Sequence, residues 1–275
     1  MTPADIPGGL RLCRASGWNQ VEEDWRIFLE SPGSGVVLIE RAGAVLATAA
    51  YMRYDVLAWI AMMLVDPEER RNGLGSRLLA EAVSRVADVP CIGLDATPLG
   101  ESLYRRFGFE EDYRLMRCSA TADGTRFPEG SRAARPMLAG DLPAVYRHDR
   151  EVFGADRSHL LAWSYRRAPD CAWIVAGEGG LEGYTFGRQG FLYSQLGPIV
   201  ARDTATAQDL VAACMGRAEG RKFVIDAPVR HTAWLEFLES AGFAGERRLA
   251  RMFLRGHKHP GNPAMQFGIT APAFG

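Results

Sequence analysis

The sequence predicts an α/β protein of two domains, and three observations support this prediction. The 275-residue chain is longer than one average domain, so two domains of roughly 100 to 150 residues are expected. Apolar β-rich runs alternate with segments whose apolar residues recur at helical spacing. The order also partly repeats: G-L-D-A-T-P, a helix and F-G-F in the first half are echoed by V-I-D-A-P, a helix and A-G-F in the second. This echo indicates an old internal duplication of one α/β unit.

The elements of the first half follow from periodicity and turn residues. After a first strand at 10–14, the segment V-E-E-D-W-R-I-F-L-E has apolar residues at helical intervals and predicts an amphipathic helix. Ser-Pro-Gly-Ser-Gly ends it, and β-rich runs at 36–40 and 45–54 flank a hairpin turn. The remaining predicted elements are a strand at 58–65, a helix to about 87, a strand at 90–94, a short helix at 100–107 and a strand pair around 115–118.

A polar segment with Gly, Pro and Ser separates the halves and predicts the domain organisation. We expect a first domain at 1–120, a linker at 121–135, a second domain at 136–256 and an irregular Pro/Gly-rich tail at 257–275. The predicted helices of the second half are 141–153, 158–166, 205–217 and 232–241, and its strands are 172–176, 183–187, 197–200, 222–226 and 248–254.

Composition narrows the functional classes. Hydrophobic and charged fractions of 47% and 24% are typical of globular proteins. With 32 basic and 33 acidic residues there is no general attraction to nucleic acid or anionic membranes, and no apolar run reaches the ~18 residues of a membrane span. The five dispersed cysteines indicate reduced buried thiols, and no metal-ligand spacing is present. The N-terminus lacks a signal-peptide pattern. We therefore expect a cytoplasmic protein without a bound metal.

One stretch predicts a phosphate site. An apolar run stops at Asp66-Pro67, and the turn Arg70-Arg71-Asn72-Gly73-Leu74-Gly75-Ser76 leads into an apolar-periodic helix. Free backbone N–H groups at a helix N-terminus suit a polyphosphate. The turn has neither the G-K-[ST] of a nucleoside triphosphate loop nor the first glycine of a dinucleotide loop. The alternative is a tight strand-to-helix turn with two solvated arginines.

This turn resembles the [QR]-x-x-G-x-[GA] signature of the GNAT N-acetyltransferase superfamily, whose members bind acetyl-CoA. Two further stretches resemble the family in the expected order: L-Y-R-R-F-G-F at 103–109, and Asp95-Ala96-Thr97-Pro98, where Thr97 lies at a position that is often asparagine. G-W-N-Q-x-E-x-D-W at 17–25 and L-D-A-T-P are similar to a two-domain bacterial subgroup with a GNAT-like second domain.

The resemblance implies a fold and a cofactor site. The fold would be a mixed, mostly antiparallel central sheet flanked by helices, in tandem GNAT-like domains. The cofactor would be acetyl-CoA, with backbone groups of Met63 and Val65 on its pantetheine arm. The full set of implied cofactor-binding residues is Met63, Leu64, Val65, Arg70, Arg71, Asn72, Gly73, Leu74, Gly75, Ser76 and Thr97.

The resemblance also makes Tyr104 the candidate catalytic acid. A phenol with a pKa near ~10 can give a proton or hydrogen bond to the leaving CoA thiolate at neutral pH without being ionised. The alternative is a packed helix tyrosine. Many relatives carry a glutamate base on the strand before the signature, but W-I-A-M-M-L-V has no carboxylate. Substitutes are Asp24, Glu23, Asp95, a group from the second domain, or bulk water.

The acceptor pocket is expected at the first helices. Trp18, Asn19, Gln20 and Trp59 are the candidate substrate-binding residues, because aromatic faces and an amide suit a small polar molecule. Trp25 is also a candidate. The alternative places tryptophans in the core and Asn19 at a helix cap.

The second half departs from the pattern. It has no R-x-x-G-x-G, and Leu238 stands where the tyrosine would be, so we expect a degenerate GNAT-like domain that shapes the acceptor site or stiffens the pair. The favoured hypothesis is an acetyltransferase acting on a small-molecule amine, as a monomer or homodimer, with one active site in the first half. The alternatives are a CoA-binding sensor or structural partner without turnover, and an acyltransferase with another donor or an oxygen nucleophile.

Overall fold

A computed structural model describes residues 1–123 and 133–275, so 124–132 of the predicted linker lie outside the described residues. In the first half the helices are α1 (Ile6–Ala15), α2 (Glu22–Glu30), α3 (Leu74–Ser84) and α4 (Glu101–Arg106). Its strands are β1 (Gly35–Arg41), β2 (Ala44–Arg53), β3 (Leu57–Val65), β4 (Cys91–Ala96) and β5 (Phe109–Thr121).

The second half contains the helices α5 (Leu142–Phe153), α6 (Ser158–Arg167), α7 (Thr204–Met215) and α8 (Thr232–Ser240). Its strands are β6 (Ala134–Pro136), β7 (Trp173–Gly177), β8 (Gly180–Gln189), β9 (Ser194–Ala201), β10 (Lys222–Pro228), β11 (Ala244–Leu254) and β12 (Gln266–Gly268).

Two predicted elements of the first half were wrong. Residues 10–14, predicted as a strand, belong to helix α1, whose early proline suits a helix start and whose Ile6, Leu12 and Cys13 are buried together. The strand pair expected around 115–118 is the single 13-residue strand β5. Its length lets it pair with two strands of the second half.

The two halves share one sheet. Its strand order is β1-β2-β3-β4-β11-β5-β10-β9-β8-β7-β6, and β12 pairs with β9. Strand β11 thus lies between β4 and β5 of the first half, antiparallel to both. Among the described strands only β3–β4 and β9–β10 pair in parallel, so the predicted mixed, mostly antiparallel sheet flanked by helices is confirmed.

Strands β3 and β4 separate partway along their length, and a cleft begins there. Their parallel pairing runs only from Leu57 opposite Cys91 to Trp59 opposite Gly93. Past this point β3 contains a bulge: Thr48 faces Leu64, whereas Ala50 faces Ala61, and Met62 has a φ of 49°. The bulge bends β3, and among the described strands none pairs with its edge beyond Trp59 on the β4 side.

The C-terminal tail packs against the first half. Trp59 Nε1 donates to the carbonyl of Pro272 (3.0 Å), and the Tyr54 hydroxyl donates to that of Phe274 (2.8 Å). Phe274 is 1% exposed and stacks on Phe28. The last residues therefore form part of the core beside β3. In the described parts of the chain, no helix has the length and apolarity required to cross a membrane.

Candidate active site

A cleft of about 830 Å³ opens where β3 and β4 diverge. This volume is within the usual range for a small-molecule site. Both halves of the chain line it. The turn before α3, the end of β3 and helix α4 contribute from the first half, and residues of β8, β9 and β11 contribute from the second.

The turn before α3 presents free backbone N–H groups to this cleft. Arg71 and Gly73 have positive φ angles of 66° and 77°, which reverse the chain between the strand and the helix. Gly73 precedes the first helical residue, and its carbonyl accepts the first helical bond from Arg77 N (3.1 Å). The N–H groups of the first helical turn therefore have no helical acceptor and are available to a ligand.

The predicted turn residues mostly reach the cleft. The lining residues from this turn are Arg70, Arg71, Gly73, Leu74, Gly75 and Ser76. Asn72 is not among them: it is exposed, and its amide lies 3.4 Å from Glu69 Oε2. A Cβ at Gly73 would meet no atom within 4 Å, so its positive φ, rather than crowding, favours glycine there.

The predicted residues of β3 and Thr97 also lie at the cleft. Met63, Leu64 and Val65 line the cleft at the unpaired edge of β3, and Thr97 lines it at the end of β4. Such an edge can hydrogen-bond an extended ligand arm as an added strand would. The residues present therefore fit a long ligand with an anionic end at α3.

Tyr104 lies on α4 at the same cleft. Its side chain is 8% exposed and meets Phe109 edge-on with ring centroids 6.2 Å apart. Burial raises the pKa of the Tyr104 phenol above its ordinary value. The phenol therefore stays protonated over the physiological range. Gly100 makes room for it, since a Cβ there would lie 2.7 Å from the Tyr104 ring.

The carboxylates proposed as bases are all ion-paired. Asp95 lines the cleft, but its side chain is fully buried and accepts two bonds from Arg251, at 2.9 and 2.8 Å. Burial raises the pKa of Asp95, and the Arg251 charge opposes this shift. Asp24 is buried behind the cleft wall, paired with Arg188. Burial likewise raises the pKa of Asp24. Glu23 pairs with Arg167 at 3.0 Å.

The predicted acceptor residues divide into two groups. Trp18, Asn19 and Gln20 line the cleft. Trp59 and Trp25 do not; both are fully buried, and the Trp59 ring lies under the Arg251 guanidinium (4.7 Å).

Asn19 joins the two halves of the chain. Its Oδ1 accepts from the backbone N–H groups of Leu192 (2.6 Å) and Tyr193 (3.1 Å), and its Nδ2 donates to the Tyr193 carbonyl (3.0 Å). This side chain therefore fixes the loop between β8 and β9 against the first half.

Sequence reasoning missed the far wall of the cleft. It consists of Arg117, Arg188, Tyr193, Gln195, Arg247 and Leu249. Arg117 donates to both oxygens of Asp226 (2.8 and 2.8 Å) and to the Tyr193 hydroxyl (2.9 Å). One sequence signal could have indicated this wall. Arg117 and Asp226 each interrupt an apolar run, and a buried charge needs a partner of opposite sign.

The corresponding turn of the second half already contains an anion. Asp203 caps α7 and accepts from Thr206 N (2.8 Å), and this bond lowers the pKa of Asp203. Its carboxylate lies where a ligand phosphate would bind the helix N-terminus. Leu238, at the tyrosine position, is fully buried.

Family models and a curated relative match this chain as an acetyltransferase. Two family models, each described as an acetyltransferase (GNAT) domain, match residues 32–111 and 145–268, which together exceed half the chain. A curated relative, the uncharacterized N-acetyltransferase YitH of Bacillus subtilis (strain 168), is 27% identical over 241 residues, or 86% of this chain and 84% of that one.

Solved structures share the whole fold. A putative acetyltransferase from Pyrococcus horikoshii has a TM-score of 0.83 and 24% identity, covering 100% of this chain and 94% of that chain. A tandem GNAT protein from the clavulanic acid biosynthesis pathway has a TM-score of 0.63 and 14% identity, covering 91% of this chain and 94% of that chain.

Proposed function

Because the chain belongs to the GNAT N-acetyltransferase family, with two such domains in tandem, we propose that it transfers an acetyl group from acetyl-CoA to the amine of a small molecule. One observation supports this proposal most directly. A single cleft joins the helix N-terminal turn of α3, the unpaired edge of β3 and the phenol of Tyr104. In this proposal the turn binds the phosphates of CoA, the strand edge binds its pantetheine arm, and the phenol donates the proton.

The first-half residues provide the donor site. Arg70 and Arg71 are suited to pair with the pyrophosphate or 3′-phosphate of CoA, and the first-turn N–H groups of α3 to bind phosphate oxygens. The edge of β3 from Met63 to Val65 would hold the pantetheine arm. Bound acetyl-CoA supplies the activated acyl group as a thioester. The turn at α7 in the second half, capped by Asp203, does not offer an equivalent site, so the proposal has one active site per chain.

Tyr104 is the proposed acid. Its buried phenol remains neutral, so it can give a hydrogen bond or proton to the sulfur as the amine displaces CoA. The phenol is already protonated at neutral pH and is therefore ready to donate.

Water is the proposed acceptor of the amine's proton. Glu69 and Asp95 are the carboxylates among the described lining residues, and each is held by an arginine. Asp95 is assigned a structural role by this proposal, since both its oxygens accept from Arg251. The amine would then react as the fraction that is neutral in solution.

A screen of primary amines with acetyl-CoA tests this function. Release of free thiol, together with a product 42 Da heavier by mass spectrometry, the mass of an acetyl group that replaces one hydrogen, is the expected result, roughly at ordinary enzyme turnover of about 1 s⁻¹ or more. The same screen with propionyl-CoA and with alcohols separates other donors and oxygen nucleophiles.

A CoA-binding sensor is the second candidate function. It is favoured by the ion pairing of both lining carboxylates, which leaves no described carboxylate of the cleft free to act as a base. Tight CoA binding with no thiol release across the amine panel would support the sensor and contradict the acetyltransferase.

A further inference from the structure

We propose that the acceptor amine carries an oxyanion, a carboxylate or a phosphate, which binds Arg247 at the second-half end of the cleft. This inference rests on the proposed function, because it concerns the substrate of the same site. It goes further by assigning a chemical class to the acceptor and a binding residue to the second half.

Arg247 on β11 lies opposite another arginine on the neighbouring strand β5. It is the cross-strand partner of Arg117 on neighbouring strands β11 and β5. Both side chains line the cleft. Like charges directly opposite each other in a sheet are destabilising unless something neutralises them.

Of these two arginines, Arg117 alone has a counter-ion among the described residues. Arg117 is 6% exposed and fully engaged by Asp226 and Tyr193. Arg247 makes no salt bridge and no side-chain hydrogen bond within 1–123 or 133–275, and it is an exposed residue that lines the cleft. The adjacent carboxylate, Glu246, lies 3.7 Å from Lys222. Partial burial and the charge of Arg117 lower the pKa of Arg247, as expected for a cation that lacks an anion.

The other charges at this end of the cleft cancel. Arg117 pairs with Asp226, Arg188 with Asp24, and Arg251 with Asp95. This end of the cleft thus retains one net positive charge, at Arg247. A simple alkylammonium would be repelled by that charge, whereas an amine with an oxyanion would bring the missing counter-charge. A guanidinium binds a carboxylate or phosphate through two parallel bonds.

Other groups of the cleft lining fit the rest of such a molecule. Trp18 and Leu249 contribute apolar side chains to the same lining. Gln20 lines the cleft, and its Oε1 is buried with no hydrogen-bond partner in the described chain. A buried acceptor without a donor is costly, so an N–H or O–H of the ligand would satisfy it.

The position of Arg247 argues against a role in donor binding. The anion site for CoA is the α3 turn of the first half. Arg247 comes from β11 and shares the far wall with Tyr193 and Gln195 of the second half. A ligand at Arg247 is therefore the acceptor.

Matched pairs of amines test the inference. The carboxylate pairs are L-alanine with L-alaninamide and β-alanine with propylamine, and the phosphate pair is O-phosphoethanolamine with ethanolamine. Each compound is assayed for acetylation, and its binding to the CoA-loaded protein is measured by calorimetry. We expect at least one oxyanion member to exceed its neutral partner about tenfold or more in kcat/KM and in affinity.

Variants of Arg247 identify the group responsible. Arg247→Ala should remove that preference by raising KM for the oxyanion compound, with kcat and acetyl-CoA affinity little changed. Arg247→Lys should restore part of it, because the charge remains while the two-point geometry is lost. Arg248→Ala, an exposed neighbour on the same strand that does not line the cleft, is the matched control and should behave as wild type.

The outcomes separate the two proposals. Equal use of neutral and oxyanion partners, or loss of acetyl-CoA affinity in Arg247→Ala, would overturn the oxyanion inference and leave acetyl transfer intact. Arg247-dependent binding of oxyanion compounds without turnover would contradict acetyl transfer and support the oxyanion site. If no oxyanion compound is bound or acetylated, the inference is wrong.

Discussion

Asp95 accepts two hydrogen bonds from Arg251, a residue 156 positions later in the chain. The two lie opposite each other on β4 and β11, and both side chains are 0% exposed. This pair therefore joins the cleft wall of the first half to the strand that the second half inserts. The first-half site depends on the second half for its structure.

Breaking this pair should destabilise the fold strongly. We expect Asp95→Ala to lower the free energy of unfolding by about 3–5 kcal/mol, because it leaves the Arg251 charge buried without a partner. Asp95→Leu combined with Arg251→Met should recover much of the loss. Denaturant unfolding measures both, with Asp88→Ala as control: its ion pair with Arg53 is at the surface, where such pairs contribute little, so this variant should be far less destabilised than Asp95→Ala. Equal losses for Asp95→Ala and Asp88→Ala would contradict the prediction.

Gly73→Ala should weaken acetyl-CoA binding. Gly73 has a φ of 77°, which costs an alanine about 1–2 kcal/mol. A shift of the turn to avoid that cost would misplace the first-turn N–H groups, so we expect affinity to fall about tenfold, the equivalent of one charge-assisted bond. Gly43→Ala is a close control, since Gly43 has the same φ in an open hairpin turn away from the cleft. The two variants should lose similar stability, and only Gly73→Ala should lose affinity by calorimetry.

Tyr104→Phe should slow turnover without affecting donor binding. Removing the phenol proton donor is expected to lower kcat about tenfold or more. The ring packing on Phe109 is kept, so acetyl-CoA affinity should stay within about twofold, well under 1 kcal/mol. Tyr51→Phe, at a half-buried tyrosine that does not line the cleft, is the matched control. An unchanged kcat in Tyr104→Phe would remove this phenol from the mechanism.

The rate should rise with pH and show no alkaline decline in the ordinary tyrosine range. Tyr104 acts in its protonated form, which exists below its pKa, and burial raises that pKa, so the usable range extends upward. The acidic limb of kcat/KM should follow the acceptor amine's own pKa, because water takes its proton. Two acceptors with different amine pKa values should shift that limb accordingly. A fall in rate between about pH 8 and 10 would argue against Tyr104 as the acid.

Local patterns were sufficient to predict the structure of the cleft at the start of α3. The apolar run, the Asp66-Pro67 break, the glycine turn and the helix are consecutive in the chain, so the sequence predicts their arrangement. Tyr104 follows on a short helix whose position was also predicted nearly to its ends. The prediction that 10–14 forms a strand failed because four or five apolar-rich residues do not distinguish a strand from a buried helical turn.

The family, the repetition of α/β units and the glycine turn before α3 could be predicted from sequence alone, because each is encoded by neighbours in the chain. Three features required the folded chain: β11 inserts between β4 and β5, arginines pair with Asp24 and Asp95, and Arg247 lines the cleft. These facts depend on pairings over more than 100 positions, such as Arg117 with Asp226 and Asp95 with Arg251. Such contacts depend on burial and on strand register, and neither can be predicted from the spacing of residues within a short stretch of sequence.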